Sequence, residues 1–129
     1  MIDLVKSAVP QWFRVRQYVL PALDLAATHD EADVLIGILE GHYQLWPGHE
    51  SAIVTEIRTY PKMKTIHFWL VGGALDEVLR MEESIVRWAR GAGCTRATAA
   101  GRKGWARALK HWTFHTTTLF RDISHEQGR

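Results

Sequence analysis

Between Lys64 and Val71 the chain carries an apolar and aromatic run, Ile66-His67-Phe68-Trp69-Leu70-Val71. A run of that length without polar alternation predicts a strand buried on both faces. Gly72-Gly73 comes next and predicts a sharp turn, because two glycines let the backbone bend and let a ligand approach it closely. From Ala74 to Arg90 the apolar residues Leu75, Val78, Leu79, Ile85, Val86 and Ala89 form one helical stripe opposite Glu82, Glu83, Arg87 and Arg90. Gly91 or Gly93 ends that helix, and Thr95–Ala100 predicts a strand parallel to the first through a right-handed crossover. Before this unit, Trp12, Phe13, Tyr18, Leu20 and Leu23 are spaced for a helix over 8–27 that breaks or kinks at Pro21. Thr28-His29-Asp30-Glu31 has the form of a capping box ahead of Val34-Leu35-Ile36 and Ile38-Leu39, with Gly41 at the helix end. His42–Trp46 and Ser51–Tyr60 predict strands, the second half-buried, joined by a Pro47-Gly48 turn. A short helix (Trp105–Trp112) and a strand (Thr116–Ile123) complete the expectation. The fold class is therefore α/β (α+β): an antiparallel meander followed by a βαβ crossover, in one domain over 1–129 with a loose tail at 124–129.

Composition changes this picture little. Apolar content of 47% and charged content of 23% suit a globular chain, and six Trp predict either a Trp-rich core or an aromatic surface. The single cysteine, Cys94, excludes an intrachain disulfide and reads as a small buried hydrophobe. No apolar run approaches membrane-spanning length and the N-terminus has no signal pattern, which places the chain in the cytoplasm and predicts no membrane partner. Net charge is +2, but residues 80–110 hold eight basic and two acidic side chains. A nucleic-acid partner rests on that imbalance alone and ranks last.

Three groups of residues bear on chemistry. A strand, the Gly72-Gly73 pair and a helix N-terminus at Ala74 together make a generic anion site; the ordinary alternative is a tight βα turn that needs glycine for shape alone. Glu56, mid-strand beside the central strand, and His67, the polar interruption in the apolar run, are candidate bases; the ordinary alternatives are an ion-paired surface Glu and a satisfied core histidine. Arg102, in Gly101-Arg102-Lys103-Gly104-Trp105, sits where ligands meet α/β sheets and can clamp a phosphate or fix the turn by pairing with a carboxylate. His111 and His115 lack a third ligand at metal spacing, so no metal is expected.

The order strand–turn–helix–strand–helix, with Gly101-Arg102-Lys103-Gly104-Trp105 after the second strand, resembles the C-terminal half of the GNAT N-acetyltransferase fold. The likeness is to the small GNAT-like proteins of tailed phages and prophages, and covers about residues 28–120. The resemblance implies a backbone cradle for the acyl-CoA pyrophosphate, written Gln/Arg-x-x-Gly-x-Gly/Ala. This chain reads Trp69-Leu70-Val71-Gly72-Gly73-Ala74, matching the Gly-x-Ala end but carrying Trp69 where Gln or Arg is expected. Leu109 falls at the position of the family's tyrosine acid, and Thr113-Phe114 at its Gly-Phe pair. The resemblance further implies an acyl-CoA-dependent N-acyltransferase with acetyl-CoA as cofactor and an amine acceptor. The alternative is a non-catalytic module of the same fold that binds a protein in a phage particle or a host. A second copy of the chain is a further partner class.

Overall fold

The structure, a computed structural model, describes residues 4–100, 112–113 and 121–123. Two helices come first, α1 (Leu4–Ala26) and α2 (Glu31–Leu39). The strands β1 (Gln44–Pro47), β2 (Ser51–Thr59) and β3 (Lys64–Gly73) come after them, then α3 (Leu75–Gly91) and β4 (Arg96–Ala99). The sheet order is β1-β2-β3-β4, with the first two pairings antiparallel and β3–β4 parallel, the arrangement expected of a meander closed by a crossover. The expected helix Trp105–Trp112 and strand Thr116–Ile123 fall largely outside the described residues, which include only Trp112 and residues 121–123 of them.

Three expectations need correction. Pro21 does not divide the first helix, which runs through both Pro10 and Pro21. Pro21 removes the donor for the carbonyl of Gln17, and both residues are exposed, so water can serve that carbonyl. The capping box lies two residues later than expected. Asp30 is the N-cap, its side chain accepts from the Asp33 amide, and Asp33 accepts in return from the Asp30 amide. Glu31 is recruited elsewhere, accepting from Trp12 Nε1 and from Arg16, both at 2.9 Å. Finally, Gly72-Gly73 is no turn. Both glycines belong to β3, paired with Ala52 and Ser51 of β2.

Each sheet face carries its own core. Trp12, Val15, Val19 and Leu23 of α1 pack with Val34 and Ile38 of α2 on Ala52, Val54 and Leu70. On the opposite face Val78, Ile85 and Ala89 of α3 cover Ile53, Ile66 and Phe68, with Cys94 at the margin. Burial of this kind contributes roughly 1.5–3 kcal/mol for each large apolar side chain.

One irregularity in the sheet decides which side chains meet. Along the β2–β3 ladder Val54 faces Leu70 but Thr55 faces Phe68, which leaves Trp69 as a bulged residue. Ile66, Phe68 and Val71 pack toward α3, whereas Trp69 and Leu70 both pack toward α1 and α2. The uninterrupted apolar run is thus two alternations of opposite phase joined at Trp69.

Candidate functional site

The bulge sets Glu56 opposite His67, and the parallel pairing sets His67 opposite Thr98. Residues on one rung share a sheet face, so Glu56, His67 and Thr98 form a polar row across three strands. This face is the one that α1 and α2 cover further along. His67 is 8% exposed, and its Nδ1 lies 2.8 Å from Thr98 Oγ1. Burial, and then the charge of Arg58, push the imidazole down to about 4, against a smaller opposing pull from Glu56, so it is neutral near pH 7. Glu56 is ion-paired with Arg58 at 2.6 Å. Its ordinary alternative, a strand Glu held by a neighbouring arginine, is therefore present in the geometry.

Glu56 also lines a cleft of about 460 Å³ between α2, the start of β1 and the end of β2. Asp33, Glu40, His29, His42 and Tyr43 share the lining with Ile36 and Ile57, and no Lys or Arg is among these residues. Desolvation and the nearby Glu56 and Asp33 charges raise the Tyr43 phenol above its usual range, so it stays a neutral donor. Tyr43 lies against Gly37 of α2, where an added Cβ would come within 2.3 Å of the ring. The rings of Tyr43 and His29 each meet Trp69, with centroids 4.9 and 4.8 Å away. The bulged tryptophan thus lies behind two rings of the cleft lining and packs on the core.

Beyond this row β3 and β4 part. β4 ends at Ala99, beside Phe68, while β3 continues to Gly73. Among the described residues, no strand lies beside Trp69–Gly73 on the edge away from β2. At the start of that edge the Trp112 ring meets Phe68 edge-on, with centroids 5.6 Å apart, and residues 101–111 and 114–120 lie outside the described residues.

At its end, Gly73 (φ +105°) leads into α3. A Cβ on Gly73 would come within 2.3 Å of the Glu50 carbonyl, and one on Gly72 within 1.7 Å of the Tyr18 carbonyl. Both glycines thus make room for backbone of this chain, a need that neighbouring sequence did not reveal. The Ala74 amide donates to Glu50 O at 2.9 Å, leaving those of Leu75, Asp76 and Glu77 as first-turn donors without intrahelical acceptors. Two acids stand there. Asp76 pairs with Arg80 at 3.4 Å, and Glu77 accepts from the Ser51 hydroxyl and, at 3.0 Å, from the Glu50 amide. Those donors, Ser51 first, hold the Glu77 carboxyl below its usual value.

Leu70 and Val71 send their side chains into the two opposite cores. Arg102 and Leu109 lie outside the described residues. No protein-family model matches the chain, and neither does any curated protein or solved structure. Among the described residues no helix is long and apolar enough to cross a membrane, and no group of three or more His, Cys, Asp or Glu could hold a metal ion. Sequence reasoning missed Thr98, His29, Tyr43 and the cleft acids. The alternation in Arg96-Ala97-Thr98-Ala99 puts Thr98 on the face of the exposed Arg96, so nothing local marked it.

Proposed function

We propose that the chain is a GNAT-like, acyl-CoA-dependent N-acyltransferase, with its acyl donor along β3 beyond Phe68, where no described strand pairs with it, and its amine acceptor in the cleft beside Glu56. The observation that carries the reading is the run of three features along one part of the sheet: the parting of β3 and β4 after Phe68, the buried neutral His67 one residue before it, and the cleft lined by Glu56, the rung partner of His67. Support also comes from the element order, two helices, a three-strand meander, a helix and a parallel strand, which is the order the resemblance implies. An extended ligand bearing amides, as the pantetheine arm does, can add to an exposed strand edge by main-chain pairing. The free amides of Leu75–Glu77 suit a pyrophosphate, although Asp76 and Glu77 oppose it. The fit is thus good along β3 and poor at the phosphates, which predicts weak affinity.

Acyl-CoA supplies an activated thioester. The chain's own residues do the rest: the cleft carboxylates of Asp33, Glu40 and Glu56 attract an ammonium group, and the Tyr43 ring, backed by Trp69, gives it an apolar side to lie against. The bound ammonium first gives one proton to solvent water to become a nucleophile, and His67, neutral but a weak base at about 4, can take the second as the new C–N bond forms and the thiolate departs. Glu56, held by Arg58, serves better as an electrostatic anchor than as the first proton acceptor.

A thermal-shift measurement with millimolar acetyl-CoA tests the reading. Ligand at about 100 times its dissociation constant stabilises by ~2.7 kcal/mol. No shift would overturn the acyltransferase and leave a second reading, a protein-binding module of the same fold. That alternative is favoured by Glu77, whose carboxylate ties the start of α3 to the β1–β2 turn where phosphates would otherwise approach.

A further inference from the structure

The pair formed by His67 and Thr98 sits one rung before the strands part, and it ties β3 to β4 by their side chains. Thr98 is half-buried, and His67 is enclosed apart from 8% of its surface. A threonine hydroxyl is both donor and acceptor, so this bond is compatible with either neutral tautomer of the ring. Only one of them leaves the ring able to work as a base.

Were the hydroxyl to donate to Nδ1, the proton of the neutral ring would lie on Nε2. The remaining lone pair would then be the one already facing Thr98, and proton uptake would require the bond to break. With the roles reversed, Nδ1–H donates to Thr98 Oγ1 and Nε2 holds the lone pair. The same bond then persists when the ring takes a second proton, because both nitrogens of imidazolium are donors. A partner on one ring nitrogen that fixes the orientation and tautomer of the other is a general device for histidines that do chemistry.

We propose that Thr98 is the positioning residue for His67, accepting the Nδ1–H bond so that Nε2 remains the proton acceptor. The inference rests on the acyltransferase reading, because the His67–Thr98 contact fits either neutral tautomer and a working base needs the Nδ1–H form. Thr98 itself touches neither acyl donor nor amine; it acts through the imidazole.

Ring ¹⁵N chemical shifts of His67, recorded near pH 7 on the full chain, report the tautomer directly. The expected result is an Nδ1–H tautomer in wild type and in Thr98→Ser, and a shift toward Nε2–H in the near-isosteric Thr98→Val. In acyl-transfer assays Thr98→Val should lower kcat roughly ten- to a hundredfold with the acetyl-CoA KM unchanged, and Thr98→Ser should restore it. An Nε2–H tautomer in wild type would overturn the proposal, as would an unchanged tautomer in a folded Thr98→Val. Wild-type tautomer needs no variant to fold and no turnover to be observed. Its failure is therefore distinct from failure of the acyltransferase reading, which the acetyl-CoA thermal shift reports.

Discussion

Gly72→Ala adds one methyl group at the place where α1 crosses β3. The new Cβ would stand 1.7 Å from the Tyr18 carbonyl oxygen and 2.8 Å from its carbon, both main-chain atoms of α1. Real contacts stay beyond 3.0 Å, so helix and strand must separate by more than an ångström. The obstacle cannot rotate away as a side-chain tip would. The helix is anchored on either side of Tyr18 by Trp12, Val15, Val19 and Leu23, all buried, and overpacking of this kind costs about 1–3 kcal/mol. Gly72 is absent from the glycines at positive φ, so alanine gains about 0.4–1 kcal/mol by restricting the unfolded chain. The net expectation is destabilisation by about 1 kcal/mol. For a chain of this size that corresponds to a midpoint lower by roughly 3–5 °C. Urea unfolding and calorimetry measure it, with Gly91→Ala as the control: nothing lies within 4 Å of a Cβ there, at the end of α3. The control should be neutral or slightly stabilising. If Gly72→Ala behaves like its control, α1 does not lie against β3.

Folding depresses the His67 pKa from 6.5 to about 4, burial being the main cause. Its neutral form therefore contributes stability that is complete above pH 6.5 and is lost as pH falls through 4, at most roughly 3 kcal/mol at ~1.36 kcal/mol per unit. Urea midpoints measured across that window should fall in wild type and stay flatter in His67→Gln; parallel slopes would contradict the burial argument. Glu31 and Glu77 are held below the usual 4.5 and add their losses only at lower pH. Trp12→Phe removes a fully buried indole and its bond to Glu31, and should cost roughly 2–3 kcal/mol by urea unfolding. A loss under about 0.5 kcal/mol would place Trp12 outside the core. Glu77→Gln should lower stability, because it weakens the tie to Ser51 and Glu50, yet tighten acetyl-CoA by removing a charge from the start of α3. Weaker binding in a folded Glu77→Gln would place the phosphates elsewhere.

Much of the fold was legible because it rests on local period. The α3 stripe and the glycine after α2 each named an element, and the helix-length link between two strands implied the parallel pair; β2 is a strand as expected but not half-buried, since Ser51–Thr55 are buried on both faces. What escaped depends on contacts distant in sequence. A glycine pair announces conformational freedom but not what sits above it, and here a helix carbonyl and the β1–β2 turn do. Two equally spaced pairs, Thr28 with Glu31 and Asp30 with Asp33, compete for the capping box; Trp12 and Arg16 decide by taking Glu31. The site was legible as residues, not as an arrangement. Continuing the register of Ser51 with Gly73 would set Glu56 opposite Phe68, and only the bulge at Trp69 brings His67 there instead. No alternation in the apolar run marks that bulge, because apolar residues occupy both of its phases.

Amide chemical-shift mapping during an acetyl-CoA titration puts the proposed function to its sharpest test. Perturbations should run from Phe68 along β3 to Glu77, with His67 and Thr98 included when the acyl group is present and reduced with coenzyme A alone. Perturbations confined to other surfaces, or none at millimolar ligand, would contradict the acyltransferase.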